Sequence, residues 1–232
     1  MRHTAVFFDA GETLVHPHPT FPDLFAEILR REGHDVDAET VRSRIHVVFD
    51  RFKRAADDHE LWTTSPERSR RFWADVYGIF LRDLQIRDPD GLVGRLYAEF
   101  TDLANYRLFE DVPPVLDRLE DAGLLLGVVS NFEEWLERLL EELGVLGRFD
   151  VRVVSGVEGM EKPDPRIFRL ALERAGVEPA NAVYVGDDPV MDIAPATAVG
   201  MLPVLIDRRG RFPDAEGLRL TSMSELPEAI GL

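Results

Sequence analysis

Asp9, Ser130, Lys162 and Asp187 each stand at or just past a short apolar run, or in a loop between such runs, and each carries a side chain able to do chemistry. A carboxylate can attack an electrophile, a hydroxyl and an ammonium can grip an anion, and a second carboxylate can share a cation with the first. Taken singly, each has an ordinary reading. A lone Asp after a strand forms turns, Ser-Asn caps helices, Lys-Pro is a solvated loop, and Gly-Asp-Asp is a turn. Lysine is scarce in this chain: Lys53 and Lys162 are the only two. A role that needs lysine therefore has two candidates.

The elements that must position these groups follow from hydrophobic period. Thr4 to Phe8 is a short apolar, partly β-branched run closed by Asp and Gly, which reads as a buried strand in mid-sheet. From about Phe21 to Tyr106 apolar residues recur three and four apart, as in Val41-Ile45-Val48-Phe52 and Phe72-Val76-Phe80-Leu84, and predict helices without strands. After Phe109 strands and helices alternate. Helices are expected at Val112 to Asp121, Glu133 to Leu143, Pro165 to Ala175, Asp192 to Ala198 and Glu225 to Ile230. Strands are expected at Leu124 to Val129, Val151 to Val154, Ala182 to Val185 and Met201 to Ile206.

Such alternation predicts an α/β fold, a Rossmann-like parallel sheet with helices on both faces, into which an all-helical domain is inserted. Residues 1–15 and 108–232 would form the α/β core and residues 16–107 the insert, joined by linkers near Val15 to Pro19 and Asn105 to Leu108. Loops at the carboxyl ends of parallel strands gather on one edge. Asp9 to Leu14, Ser130-Asn131, Glu161-Lys162-Pro163 and Gly186-Asp187-Asp188 with Asp192 should therefore meet in space.

A formal net charge of -16 and a pI near 4.8 oppose affinity for nucleic acid or an anionic membrane surface and favour a small-molecule partner. No stretch is long and apolar enough to span a membrane, and the opening residues have too short an apolar run for a signal peptide. Cysteine is absent, which fits a reducing cytoplasm. The sequence carries no sign of oligomeric state.

The segments FFDAGETL, VVSN, EKPDPRIF and VYVGDDPVMD, in this order, resemble the four motifs of the haloacid dehalogenase superfamily. The resemblance covers essentially the whole chain, with the helical insert standing where that family carries its cap. In VVSNF and KPDPRIF it is nearest to the branch of haloacid dehalogenase-like hydrolase domain-containing protein three. The resemblance implies that Asp9 is the nucleophile, that Ser130 with Asn131 and Lys162 hold the transferred group, and that Asp187 binds Mg2+. Mg2+ prefers oxygen ligands in octahedral geometry, and Asp9, the Gly11 carbonyl and Asp187 suit it. Asp188 and Asp192 would stand behind these ligands, Asp192 orienting Lys162 or a metal-bound water, or else serving only as an acid in a helix's first turn.

One position departs from the family pattern. Its phosphatases carry a second Asp two residues after the nucleophile, to protonate the leaving alcohol, and here that position is Gly11. General acid-base help is worth about 10²–10⁴-fold. Glu12 is the candidate replacement, although extended backbone points it away from the face of residue 9. His16 and His18 have suitable proton affinity but read as linker residues.

The leading expectation is a phosphatase acting on a small phosphorylated metabolite. A metal-free 2-haloacid dehalogenase would also lack the second Asp, yet would leave Asp187 and Asp188 uncompensated near Asp9. A phosphonate hydrolase would need Lys53 for a Schiff base, with Arg51 and Arg54 depressing its pKa. A phosphate-binding protein that has lost catalysis is the remaining alternative. In the insert, Arg68, Arg70, Arg71 and Trp73 face either substrate or merely solvent and core.

Overall fold

A computed structural model describes residues 3–87 and 91–232. Its contacts divide the chain into two compact units, Met1–Val15 with Leu108–Leu232, and His16–Arg107. The strands are β1 (Ala5–Phe8), β2 (Val15–Pro17), β3 (Tyr106–Leu108), β4 (Leu125–Ser130), β5 (Val151–Val154), β6 (Ala182–Gly186), β7 (Leu202–Ile206) and β8 (Leu218–Leu220). Helices α1 (Phe21–Arg31), α2 (Ala38–Ser43), α3 (His46–Asp57), α4 (Pro66–Asp83) and α5 (Leu92–Phe100) belong to the second unit. Helices α6 (Val112–Asp121), α7 (Leu136–Glu142), α8 (Ser155–Glu158), α9 (Pro165–Ala175), α10 (Ala194–Val199) and α11 (Leu226–Ala229) belong to the first.

The first unit is built on a six-stranded sheet in the order β5-β4-β1-β6-β7-β8, every neighbouring pair parallel. Helices cover both faces of this sheet, which is why β1 and β6 are buried at every residue and read as unbroken apolar runs. Helix α9 shows how the sequence enforces the packing. Asp164 caps it by accepting from the Arg166 N–H at 2.9 Å, Pro165 occupies its first turn, and Gly176 closes it in the left-handed conformation. Between these signals Ile167, Phe168, Ala171 and Leu172 lie on one face and pack with Phe7, Val129, Val153 and Tyr184 of the sheet. Phe7 lies across Gly127, where a Cβ would sit 2.5 Å from its ring.

Several elements differ from expectation for identifiable reasons. The expected helix at Asp192 begins instead as a π turn over Pro189–Ile193, followed by α10. Asp188 accepts the N–H groups of Val190 and Met191, and Pro189 has none to give, so the first turn is wider than an α-helix. Helix α7 starts at Leu136 rather than Glu133. The two linkers pair as β2 and β3, with the His18 N–H on the Asn105 carbonyl at 2.8 Å and the Phe109 N–H on the Leu14 carbonyl at 3.0 Å. Strand β8 was not expected, because three residues are too few to show a period.

Asp111, just before α6, ties the C-terminal segment down. It accepts from Arg208 at 2.8 and 2.9 Å, from the Ser222 hydroxyl at 2.7 Å and from the Met223 N–H at 2.8 Å. Burial works to raise its pKa, but these donors outweigh burial and hold the carboxyl below the ordinary range. A depressed carboxyl contributes stability that is complete above its unfolded pKa and is lost as pH falls through the folded one. Acidifying from about pH 5 toward about pH 3 should lower the urea midpoint, and Asp111→Asn should flatten that decline. An identical acid slope in both proteins would remove Asp111 from the explanation.

Apart from the paired linkers, the regular structure among the described residues of the second unit is helical, helices α1 to α5 and a 3-10 turn at Leu103–Asn105. Phe25, Phe72, Val76, Tyr77, Phe80, Leu96 and Phe100 form its core, with Trp62 stacked on Phe72 at 4.4 Å. Arg51 is drawn inside, bonded to Asp75 and Glu60 and lying 4.3 Å above the Phe72 ring. Lys53 is exposed, so it lacks the apolar pocket that would favour Schiff-base chemistry.

Candidate active site

Asp9 directly follows β1, and its own N–H donates to the Val185 carbonyl of β6 at 2.8 Å and anchors it at the carboxyl edge of the sheet. The carboxylate is buried. Its Oδ1 accepts from the Ser130 hydroxyl at 2.9 Å and from the Lys162 ammonium at 2.7 Å. Ser130 is the last residue of β4, one residue beyond the expected strand end. Lys162 Nζ also donates to Asp192 Oδ1 at 2.6 Å and contacts the Tyr184 hydroxyl at 3.2 Å. Its three donors thus meet three acceptors. Burial alone would lower the pKa of Lys162, but the carboxylates of Asp192 and Asp9 outweigh it and keep the group a fixed cation.

Asn131, expected among the residues that hold substrate, is bonded to the backbone of Lys162. Its carboxamide accepts from the Lys162 N–H at 2.7 Å and donates to the Lys162 carbonyl at 2.8 Å. The side chain therefore holds the backbone that carries the lysine. Tyr184, not foreseen in the sequence, is buried at the base of the site with its hydroxyl within 2.9 Å of the Val129 carbonyl and 3.0 Å of Asp192. Its signal was hidden because an aromatic inside an apolar strand reads as core.

The π turn throws Asp192 back over the sheet, where its Oδ2 accepts the Asp188 N–H at 3.0 Å. Asp188 itself faces the turn it caps. Room for Asp192 comes from Gly186, since a Cβ there would lie 2.4 Å from the Asp192 carboxyl carbon. Gly186→Ala should accordingly push Asp192 off Lys162 and lower stability by about 1–3 kcal/mol, the usual cost of overpacking. Urea melts would check this, and an unchanged midpoint would show that Asp192 is not held as described.

Asp9, Asp187 and Asp192 each offer an oxygen, and the three lie within 4.8 Å of one another. Burial raises the pKa of Asp9, and nearby Asp192 adds to the rise, which Lys162 and Ser130 moderate. Burial raises that of Asp187 well above its ordinary value, and Asp9 and Asp192 add to it against the offset from Arg211. Three crowded carboxylates are short of positive charge, and a hard divalent cation with oxygen ligands fits that need. Asp192 thus stands within this trio as well as on Lys162.

Glu12 adopts a left-handed backbone with φ of 55° and pairs with Arg209 at 2.7 Å. Gly11 bridges to Val15, and a Cβ on it would meet nothing within 4 Å. His16 Nδ1 lies 2.8 Å from the Pro17 carbonyl, and His18 is exposed. In the helical unit Arg68 and Arg71 line a cavity of about 480 Å³ with His59, Glu60 and Leu61, while Arg70 lies over Tyr97 and Trp73 packs against the core.

The model of the haloacid dehalogenase-like hydrolases matches residues 3–200. This chain belongs to that family. Among haloacid dehalogenase-like hydrolases, it is 33% identical over 205 residues to mouse (Mus musculus) haloacid dehalogenase-like hydrolase domain-containing protein 3, covering 86% of this chain and 80% of the mouse protein. It is 41% identical over 119 residues, half of each chain, to the glyceraldehyde 3-phosphate phosphatase of Methanopyrus kandleri. The solved 2-haloacid dehalogenase of Pseudomonas syringae superposes with a TM-score of 0.62 at 26% identity, over 99% of this chain and 98% of that one. Both chemistries expected for an Asp nucleophile are thus represented among this hydrolase's kin. No described helix is long and apolar enough to cross a membrane.

Proposed function

We propose that this hydrolase is a Mg2+-dependent phosphatase of a small phosphorylated metabolite in the cytoplasm, working through an aspartyl-phosphate on Asp9. The observation that carries the reading is the trio Asp9, Asp187 and Asp192 beside buried Lys162. A dehalogenase dispenses with metal, and its nucleophile would then stand in a trio of carboxylates set against two paired cations, Lys162 and Arg211. Phosphatase kin support the same choice.

Asp9, Asp187 and Asp192, with the Gly11 carbonyl, would hold the ion, which when bound supplies positive charge against the phosphate oxygens. Lys162 and Ser130 fix the nucleophile by Oδ1, and no described residue hydrogen-bonds Oδ2, the oxygen left to attack phosphorus. The P–O bond to the alcohol breaks as the Asp9–phosphorus bond forms, and water then returns free Asp9 and phosphate. Lys162, held in place by Asn131, would stabilise the transferred group through its positive charge, and the Ser130 hydroxyl would donate to it on turning from Oδ1. The helical unit would serve as the cap that selects substrate.

Because Gly11 supplies no proton, a binding protein with little turnover is the second reading. One panel separates the readings: aryl phosphates, sugar phosphates and 2-chloropropionate, each with and without Mg2+. Mg2+-dependent phosphate release from the aryl ester is expected. Chloride release without metal would establish the dehalogenase, and no release from any compound would leave only binding.

A further inference from the structure

One turn after β7 reaches two loops of the site. Its Arg208 donates to the Thr13 carbonyl at 3.1 Å, Arg209 pairs with Glu12, and Arg211 donates to Asp187 Oδ2 at 2.6 Å and to the Asp187 carbonyl at 3.3 Å. The turn is held by Asp207, which is almost wholly buried. Asp207 accepts from the N–H groups of Arg211 at 2.8 Å and Phe212 at 3.0 Å, and from Arg219 at 2.9 Å. The Arg211 guanidinium also lies 5.0 Å from the Phe212 ring centroid. A fixed cation is thereby built against the outermost carboxylate of the trio.

We infer that Arg211 is the resident counter-cation of Asp187, competing with a divalent ion for the same carboxylate and so setting how tightly that ion binds. This rests on the metal reading above. Asp9, Asp187 and Asp192 bring like charges within 4.8 Å, and Lys162 sits against Asp9 and Asp192 rather than Asp187. Arg211 therefore provides the charge that lets Asp187 remain in the group before metal arrives. Once the ion is there, the guanidinium is a like charge beside it. Two ligands that stabilise one set of carboxylates while repelling each other are antagonists, and the antagonism is reciprocal. Arginine remains protonated at any working pH, so its positive charge is always present.

MgCl2 titrated calorimetrically into the metal-free full chain, with thermal melts in parallel, tests this. Arg211→Gln and Arg211→Met remove the charge while Arg211→Lys keeps it. Both neutral variants should melt lower than wild type without Mg2+, bind Mg2+ about tenfold more tightly, and gain more in Tm on saturation, with Arg211→Lys close to wild type. Mg2+ binding that is unchanged or weaker in the neutral variants would overturn the proposal and make Arg211 an orienting group for Asp187 or a bystander. Binding absent from wild type and variants alike would instead remove the metal reading, and this inference with it.

Discussion

Asp9→Asn is expected to reduce turnover of an aryl phosphate by at least about 10⁴-fold, because an amide cannot replace an attacking carboxylate. The loss should be chemical, not structural. Burial and the charge of Asp192 already oppose ionisation of Asp9, so an uncharged isostere removes a strained group. Ser130 can still donate to the amide oxygen, and Lys162 keeps Asp192 at 2.6 Å. Initial rates with thermal melts check both halves. A variant within tenfold of wild type in kcat would take the nucleophile's role from Asp9.

Gly11→Asp is expected to raise hydrolysis of an alkyl phosphate by about 10²-fold or more while changing the aryl ester far less. A phenolate leaves without a proton, whereas an alkoxide is too basic to do so. A Cβ at position 11, two residues past the nucleophile, meets nothing within 4 Å, so the new carboxyl can be housed without repacking. Glu12→Gln should change little, since Glu12 already pairs with Arg209. Equal gains on both esters would show that the added Asp acts on metal or binding instead of the leaving group. Rapid alkyl ester turnover by the natural chain, lost on Glu12→Gln, would assign Glu12 the proton.

Hydrophobic period made the architecture legible because the central strands are buried on both faces and helices such as α6 and α9 open with a proline in the first turn. Helices α6 and α9 and strand β5 lie where the pattern places them. Short or irregular elements left no such trace. Strand β8 and the β2–β3 ribbon are three residues each, and the π turn at Pro189–Ile193 arises from a proline and a side-chain cap that periodicity does not register.

Asp9, Ser130, Lys162 and Asp192 were readable as a group because strand-end loops of a parallel sheet converge. What each does within the group was less readable. Nothing in the sequence shows that both ends of the Asn131 carboxamide lie on the backbone of Lys162. Arg211 lies 24 residues beyond Asp187, and only the turn anchored on Asp207 returns it to the site.

The most direct measurement is mass spectrometry of the chain quenched in acid during turnover of an aryl phosphate in Mg2+. One phosphoryl group is expected on the peptide containing Asp9, absent when Mg2+ is withheld and absent from Asp9→Asn. Steady phosphate release with that peptide unmodified, or a phosphoryl group lodged on another residue, would contradict an aspartyl-phosphate at Asp9.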